Sequence, residues 1–541
     1  MRRKLARKRF LLAASAVFNM LSWTSDRSIC GAASLSWSNI SGGDWGNSAN
    51  WNPQQTPTSA DSATFSLGAT SPYPVTLSAN EAASSITVSN DQVSINPQGN
   101  TLSVGTISVS YNQYSPPEPP ASTLDLAGSG TVNLSGPFDV GNGTVNQSGD
   151  YVSATGVSLN PFLSTASYLL SAGTLVTGGG GEGIGNFNNF GQMTQSGGTN
   201  QFSSMYIGGA QGGGTYSIQG GSASGNTITL GGDASLNIQG IGTLNLGGGS
   251  LLLSGGIVAS SNGNSNVNLS AGTLEVGSMK FAGTTSGGYA NFSWTGGTLI
   301  LHGLLTLGPV GQISGAPTQT FTIPSGLTLI GAGGGIGNPL NISSGGTLSV
   351  GNGSPSTFGL GFMLHGTMSA GSNLVMQIDG TTAGTGYSQL TGESATPNNL
   401  GTFTLGGNLI FDLGYPAAVG DQFTIVKDIG PTGFDAPHFF NGPFAGLAQG
   451  AIFNEVYGGQ TYGFQISYTG GSIGDNVVVT TVYTPEPAPL GFLSLGMCYV
   501  AMRRRRRGNA DGSAPAISLH RITCQAPARP PLARPGLSDS F

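Results

Sequence analysis

The sequence predicts an all-β chain: a parallel β-solenoid of glycine-rich repeats, a C-terminal β-rich closing module and one short C-terminal transmembrane helix. Three observations lead there. Glycine fills 92 of 541 positions and charged residues only 7%, against about 7% and 25% in ordinary soluble proteins. A turn of small residues followed by Thr-Leu-x-Val/Leu returns along the body. Apolar and polar residues alternate there with period two, as half-buried strands do. Helices are disfavoured because Glu, Lys and Arg are scarce and glycine weakens helix interiors. Collagen lacks its Gly-X-Y period here, and the recurring Leu, Val and Ile argue against a solvated disordered chain.

Charge is placed unevenly. Between Ser34 and Met502 only Lys280 and Lys427 oppose 20 acids, while the two ends are basic. Such a body is a poor partner for nucleic acid, which needs clustered Lys or Arg.

Residues 1–33 read as a secretory signal. Arg2, Arg3, Lys4, Arg7, Lys8 and Arg9 form its basic region, and Phe10 to Trp23 its apolar run. Gly31-Ala32-Ala33 offers a cleavage site. Cys30 is a poor lipidation site, because Ile29 stands where that signal wants Gly or Ala. Cys498 and Cys524 lie beyond the body, so Ser34 to Thr484 has no cysteine for disulfide, thiolate metal or nucleophilic chemistry.

Residues 34–66 hold three of the five tryptophans: Trp37, Trp45 and Trp51. The expected role is a hydrophobic cap on the open end of the stack, which terminal repeats need. The other reading is an aromatic platform in contact with a glycan. Residues 67–350 carry the repeats, at Thr101-Leu102, Thr123-Leu124, Thr174-Leu175, Thr243-Leu244, Thr273-Leu274, Thr298-Leu299 and Thr347-Leu348. Glycine often precedes the pair and supplies a left-handed corner. A coil of this kind cannot bury its apolar side chains alone, so coils must stack. With coils of about 20 residues, the body would make roughly 20 rungs, a rod near 100 Å at about 4.8 Å per rung. From about Gly351 to Thr484 the glycines thin and longer strands appear. That stretch is expected to be a sandwich-like or wide-coil closing module.

Residues 485–507 are the most specific feature. Pro485, Glu486 and Pro487 form an extended, accessible peptide. The apolar run Ala488–Met502 follows, then Arg503, Arg504, Arg505, Arg506 and Arg507, which act as a membrane stop on the cytoplasmic side. At 1.5 Å per residue the run is about 22 Å long, so the bilayer must thin or the arginines snorkel. This order of parts resembles the PEP-CTERM sorting signal of exported bacterial proteins. The resemblance implies processing by a membrane-embedded exosortase-type sorting enzyme, a membrane anchor before processing, and a host that makes an extracellular polysaccharide. The Trp-rich start and the Ser-Gly-Gly-Thr units similarly resemble autotransporter-like repeat proteins. Residues 508–541 run past the point where such signals usually end. With five prolines and no strand alternation, they read as a disordered tail.

The residues offer little for catalysis. A lyase needs cations to hold an acidic sugar, and the body has two distant lysines. A glycosidase needs two carboxylates about 5 to 10 Å apart. Asp421, Asp428 and Asp435 are near in sequence but sit among turns. His302, His365 and His438 lack metal spacing, and one Gly474-Asp475 cannot build a calcium roll. Gly178–Gly181 with Glu182 and Gly183 lacks the Gly-Lys-Ser/Thr ending of a phosphate loop and reads as a coil corner. No cofactor and no metal are expected. The sequence therefore points to a non-enzymatic structural or adhesive protein of the cell surface or extracellular matrix. A carbohydrate-active enzyme and a carbohydrate-binding adhesin are the alternatives.

Overall fold

The structure is a computed structural model that describes residues 32–110, 121–161, 165–185, 190–209, 211–233, 238–260, 263–281, 290–308, 319–361, 365–392, 402–429, 439–471 and 476–484. All of them belong to a unit that ends at Thr484. The fold is all-β. The helical content of the described residues is one 3-10 turn, Ser48–Asn50, and none of their helices is long and apolar enough to cross a membrane. The signal region, the Pro-Glu-Pro motif, the apolar run Ala488–Met502 and the five arginines lie outside the described residues.

Strands pair in parallel with partners one coil further along the chain, and they do so in three ladders. Gly143–Leu159 shows how the chain passes between them. Its start pairs with Ser122–Leu126, its middle with Thr131–Asn133 and its end with Phe138–Val140. Thr165–Ile184 and Ile241–Ala259 make the same three-part passage. Alternation along each strand turns every second side chain inward. In the first ladder the inward column runs Tyr73, Val93, Leu124, Val145, Tyr168, Met193, Tyr216, Leu244, Val267, Phe292. The second ladder stacks Leu102, Val132, Val152, Leu175, Asn200, Ala223, Leu251, Leu274, Leu299, Leu329, Leu348, Leu374 and Leu409. The third stacks Ile86, Ile107, Phe138, Val157, Glu182, Met205, Ile228, Ile257, Met279, Leu305, Ile336 and Leu360. Nearly all of these side chains are buried in one continuous core.

The Thr-Leu units thus fall on two different ladders. Leu124 and Leu244 belong to the first, whereas Leu102, Leu175, Leu274, Leu299 and Leu348 belong to the second. The glycine that precedes the second-ladder copies has a specific cause. Gly173, Gly198, Gly221, Gly249, Gly272 and Gly297 all have φ between +63° and +80° and stack on one corner. A Cβ on Gly198 would lie 2.7 Å from the carbonyl oxygen of Gly173, and one on Gly297 2.6 Å from that of Gly272. Left-handed backbone and carbonyl contact both demand glycine.

One expectation is corrected. Among the described residues the third ladder contains sixteen strands, not about 20, because its partners are 19 residues apart at Phe138 and Val157 but 32 apart at Leu360 and Gly392. Past Gly351, where glycine thins, the pairing does not change. Parallel ladders continue through Thr347–Val350, Asn373–Ile378 and Asn408–Leu413, and through Thr357–Leu360, Gln389–Gly392 and Gln422–Asp428. Reversal comes later. Gln422–Asp428 pairs antiparallel with Asn476–Tyr483, which pairs with Gln460–Gly470, which pairs with Ile452–Tyr457. The other end also turns back, Ser34–Trp37 pairing antiparallel with Trp51–Asn52.

Candidate functional site

The three tryptophans are packing residues. Trp37, Trp45 and Trp51 are 2%, 0% and 1% exposed. Trp51 meets Trp37 edge to face at 5.0 Å and Trp45 at 4.9 Å, with Phe65 beside all three. The Trp37 indole N–H donates to the Asn39 carbonyl and that of Trp51 to the Trp45 carbonyl. A sugar ring has no open indole face to stack on here, which corrects the glycan-platform reading of these residues.

The acids are used structurally. Asp61 accepts from the Ala33 and Thr58 backbone N–H groups and from the Thr58 hydroxyl. The Thr58 hydroxyl first, then the Ala33 N–H, holds its carboxyl below the usual range. Asp91, fully buried, accepts from the N–H groups of Leu67 and Ala69 and from the Tyr73 phenol at 2.6 Å. Asp421 accepts from Tyr415 and from the Ala418 N–H, and Asp428 from the Phe439 N–H. His302 pairs with Glu275 at 2.7 Å and His365 lies 3.2 Å from the Thr402 hydroxyl. Asp435, His438 and Gly474-Asp475 lie outside the described residues. Among those described, no three His, Cys, Asp or Glu side chains gather as a metal site.

What sequence reasoning missed is inside the core. Glu182 occupies the inward column of the third ladder between Val157 and Met205 and is 1% exposed. The glycine-rich stretch that contains it is strand, not loop. The Asn200 amide donates to Oε2 at 3.1 Å, and the Thr177 hydroxyl lies 3.3 Å from Oε1. Asn200 also donates to the Tyr216 phenol at 3.2 Å, and Tyr216 in turn to Gln195. Tyr168 donates likewise to Gln147 at 2.6 Å. Each glutamine amide donates back to carbonyl oxygens: Asp150 and Thr174 for Gln147, Gly198 and Ser222 for Gln195. Burial pushes the Glu182 carboxyl up to about 7, against the opposing help of Asn200 and Thr177. Burial also raises both phenols, with the Glu182 charge adding to it. The signal was present in the repeats: Glu182-Gly-Ile184 aligns with Met205-Tyr-Ile207 and Ile228-Thr-Leu230, so Glu stands where Met and Ile stand in the next coils.

The outer surface has its own order. Directly beside the leucine column, the second ladder turns outward Thr101, Thr131, Tyr151, Thr174, Thr199, Ser222, Ser250, Thr273, Thr298, Thr328, Thr347, Asn373 and Asn408 in successive register. Eleven consecutive members carry a hydroxyl and none carries a charge. Neighbours bond along the column, Asn408 to Asn373 at 3.1 Å and Asn373 to Thr347 at 3.3 Å. Similar amide contacts join Asn146 to Asp125 and Asn268 to Asn245 on the first ladder. No protein-family model matches the chain, and no curated protein is significantly similar to it.

Proposed function

We propose that the three ladders are the faces of a right-handed parallel β-solenoid, and that the chain is an exported, non-enzymatic protein of the cell surface or extracellular matrix. Its right hand follows the general preference of parallel crossover connections. Sixteen strands at about 4.8 Å give a rod of roughly 70 Å. The observation that carries the reading is the uncharged hydroxyl column along the second ladder. One binding pocket would concentrate its chemistry in a few rungs. This surface instead repeats one weak contact rung after rung, which suits a structural or adhesive role against a neutral extracellular polysaccharide.

The address is the sorting signal. Pro485, Glu486 and Pro487 would be the recognition element for an exosortase-type enzyme, with Ala488–Met502 and Arg503–Arg507 holding the precursor in the membrane. The test is mass spectrometry of the mature C-terminus after separation of membrane and secreted fractions. A terminus between Pro485 and Ala488 on exported protein is the expected result. An intact chain ending at Phe541 in the membrane fraction would overturn the processing step and make the same residues a permanent anchor.

A further inference from the structure

Glu182 is the one charged side chain in the third ladder's inward column between Ile86 and Leu360, and its position links two coils. Thr177 belongs to its own strand, Thr165–Ile184, while Asn200 and Gln201 belong to the next coil's Thr199–Phe202. The Thr177 hydroxyl has two acceptors within reach, Glu182 Oε1 at 3.3 Å and the Gln201 carbonyl oxygen at 3.5 Å. It has one proton to give. Thr177 and Gln201 also line a shallow groove of about 390 Å³ open to solvent, so solvent comes within one residue layer of the buried Thr177–Glu182 pair.

We propose that Glu182, Thr177 and Gln201 form a proton-operated clasp between two adjacent coils. With the carboxyl ionised, the Thr177 hydroxyl donates inward to Oε1. A proton delivered from groove water adds to Oε1. The new O–H then donates to the Thr177 oxygen, and the Thr177 proton swings out to the Gln201 carbonyl. The heavy atoms stay in place, and the chain Glu182–Thr177–Gln201 now ties one coil to the next. Asn200 donates to Oε2 in both states.

The sign follows from burial. The folded state holds its proton up to about pH 7, whereas an unfolded glutamate releases it near about 4.3. Between these values the folded state binds more protons, so its stability falls as pH rises, and the loss is complete above the folded value. The titratable groups that interact with Glu182 are the phenols of Tyr168 and Tyr216. Neither Lys, His nor a second carboxyl figures among the causes of its shift.

The test is hydrogen exchange of the Thr199–Phe202 amides in the full chain, corrected for the intrinsic rate, from pH 5 to 8.5. Wild type is expected to lose protection by up to about tenfold per pH unit through the window. Glu182→Gln, whose amide donates permanently to Thr177, is expected to keep its protection. Equal loss in both would overturn the clasp. Should Glu182→Gln fail to fold, Glu182→Met decides in its place, because Met205 fills the same column one coil on; it too must be pH-independent. Thr177→Val separates the clasp from mere burial. It breaks the relay from Glu182 to Gln201 and must lower the protection of these amides at pH 5, while Thr177→Ser, which keeps the hydroxyl, must retain it; wild-type protection of Thr177→Val at pH 5 would overturn the proposal.

Discussion

Tyr216 repeats Tyr168 two coils later. The two phenols share one inward column with Met193 between them, and each donates to a glutamine of the preceding coil, Gln195 and Gln147. The glutamines then hand their amide protons to backbone carbonyls at the corner. Tyr216→Phe is expected to cost about 1–3 kcal/mol, the penalty for a buried acceptor left without its donor. Adding Gln195→Leu should restore much of that loss, because Leu170 and Ile218 flank Gln195 in its own column. Urea unfolding of the single and double variants checks this; a double variant weaker than the single would refute the polar pairing.

The glycine corner predicts a contrast. Gly297→Ala meets both a left-handed backbone and the Gly272 carbonyl, whereas Gly68→Ala meets only the backbone term, since nothing lies within 4 Å of its Cβ position. Gly68→Ala should cost about 1–2 kcal/mol, and Gly297→Ala distinctly more. Thermal melts of the two variants measure the difference.

Two acids should respond to pH in opposite senses. Burial raises Asp150 to about 6, and both of its carboxylate oxygens are buried without a partner. The folded state therefore loses stability as pH climbs from the ordinary carboxyl value of about 3.9 through about 6. Asp150→Asn should raise the melting temperature at pH 8 and leave it unchanged at pH 3, and Asn tolerates the left-handed φ of +47° there. Asp61 is lowered, so its contribution is present above the ordinary carboxyl range and disappears as pH falls through its folded value. Asp61→Asn should lower the melting temperature at pH 7, and its difference from wild type should shrink as the pH is taken down through the acid range.

The hydroxyl column can be erased without changing its shape. Thr273, Thr298 and Thr328 are consecutive in it, and valine keeps their branching and strand preference. The triple Thr→Val variant should fold normally by circular dichroism yet co-sediment less with a neutral polysaccharide. Retained co-sedimentation would count against the column as the adhesive surface.

The repeats were legible because a half-buried strand imposes period two and a sharp corner imposes glycine. Thr174-Leu175, Thr273-Leu274 and Thr298-Leu299 are the readable face of one ladder. The split of Thr-Leu copies between two ladders was hidden, because both faces solve the same problem with the same residues. Coil length was misjudged because the links between ladders vary while the strands do not. Glu182 escaped notice inside a glycine run that looks like loop. Only the column, which sets it between Val157 and Met205, shows that it points inward. The tryptophans were read as a cap from their clustering at one end, and the mutual edge-to-face packing of Trp37, Trp45 and Trp51 accounts for that clustering.

Both ends of the stack reverse direction: Ser34–Trp37 against Trp51–Asn52, and Gln422–Asp428 against Asn476–Tyr483. A bare parallel edge is a template, ready to recruit another chain of the same kind and propagate. Here the first and last parallel strands of the third ladder each meet a strand running the other way, so on that ladder the edge is already paired. On this ladder, end-to-end addition of a second copy would first require a capping strand to peel away from its antiparallel partner.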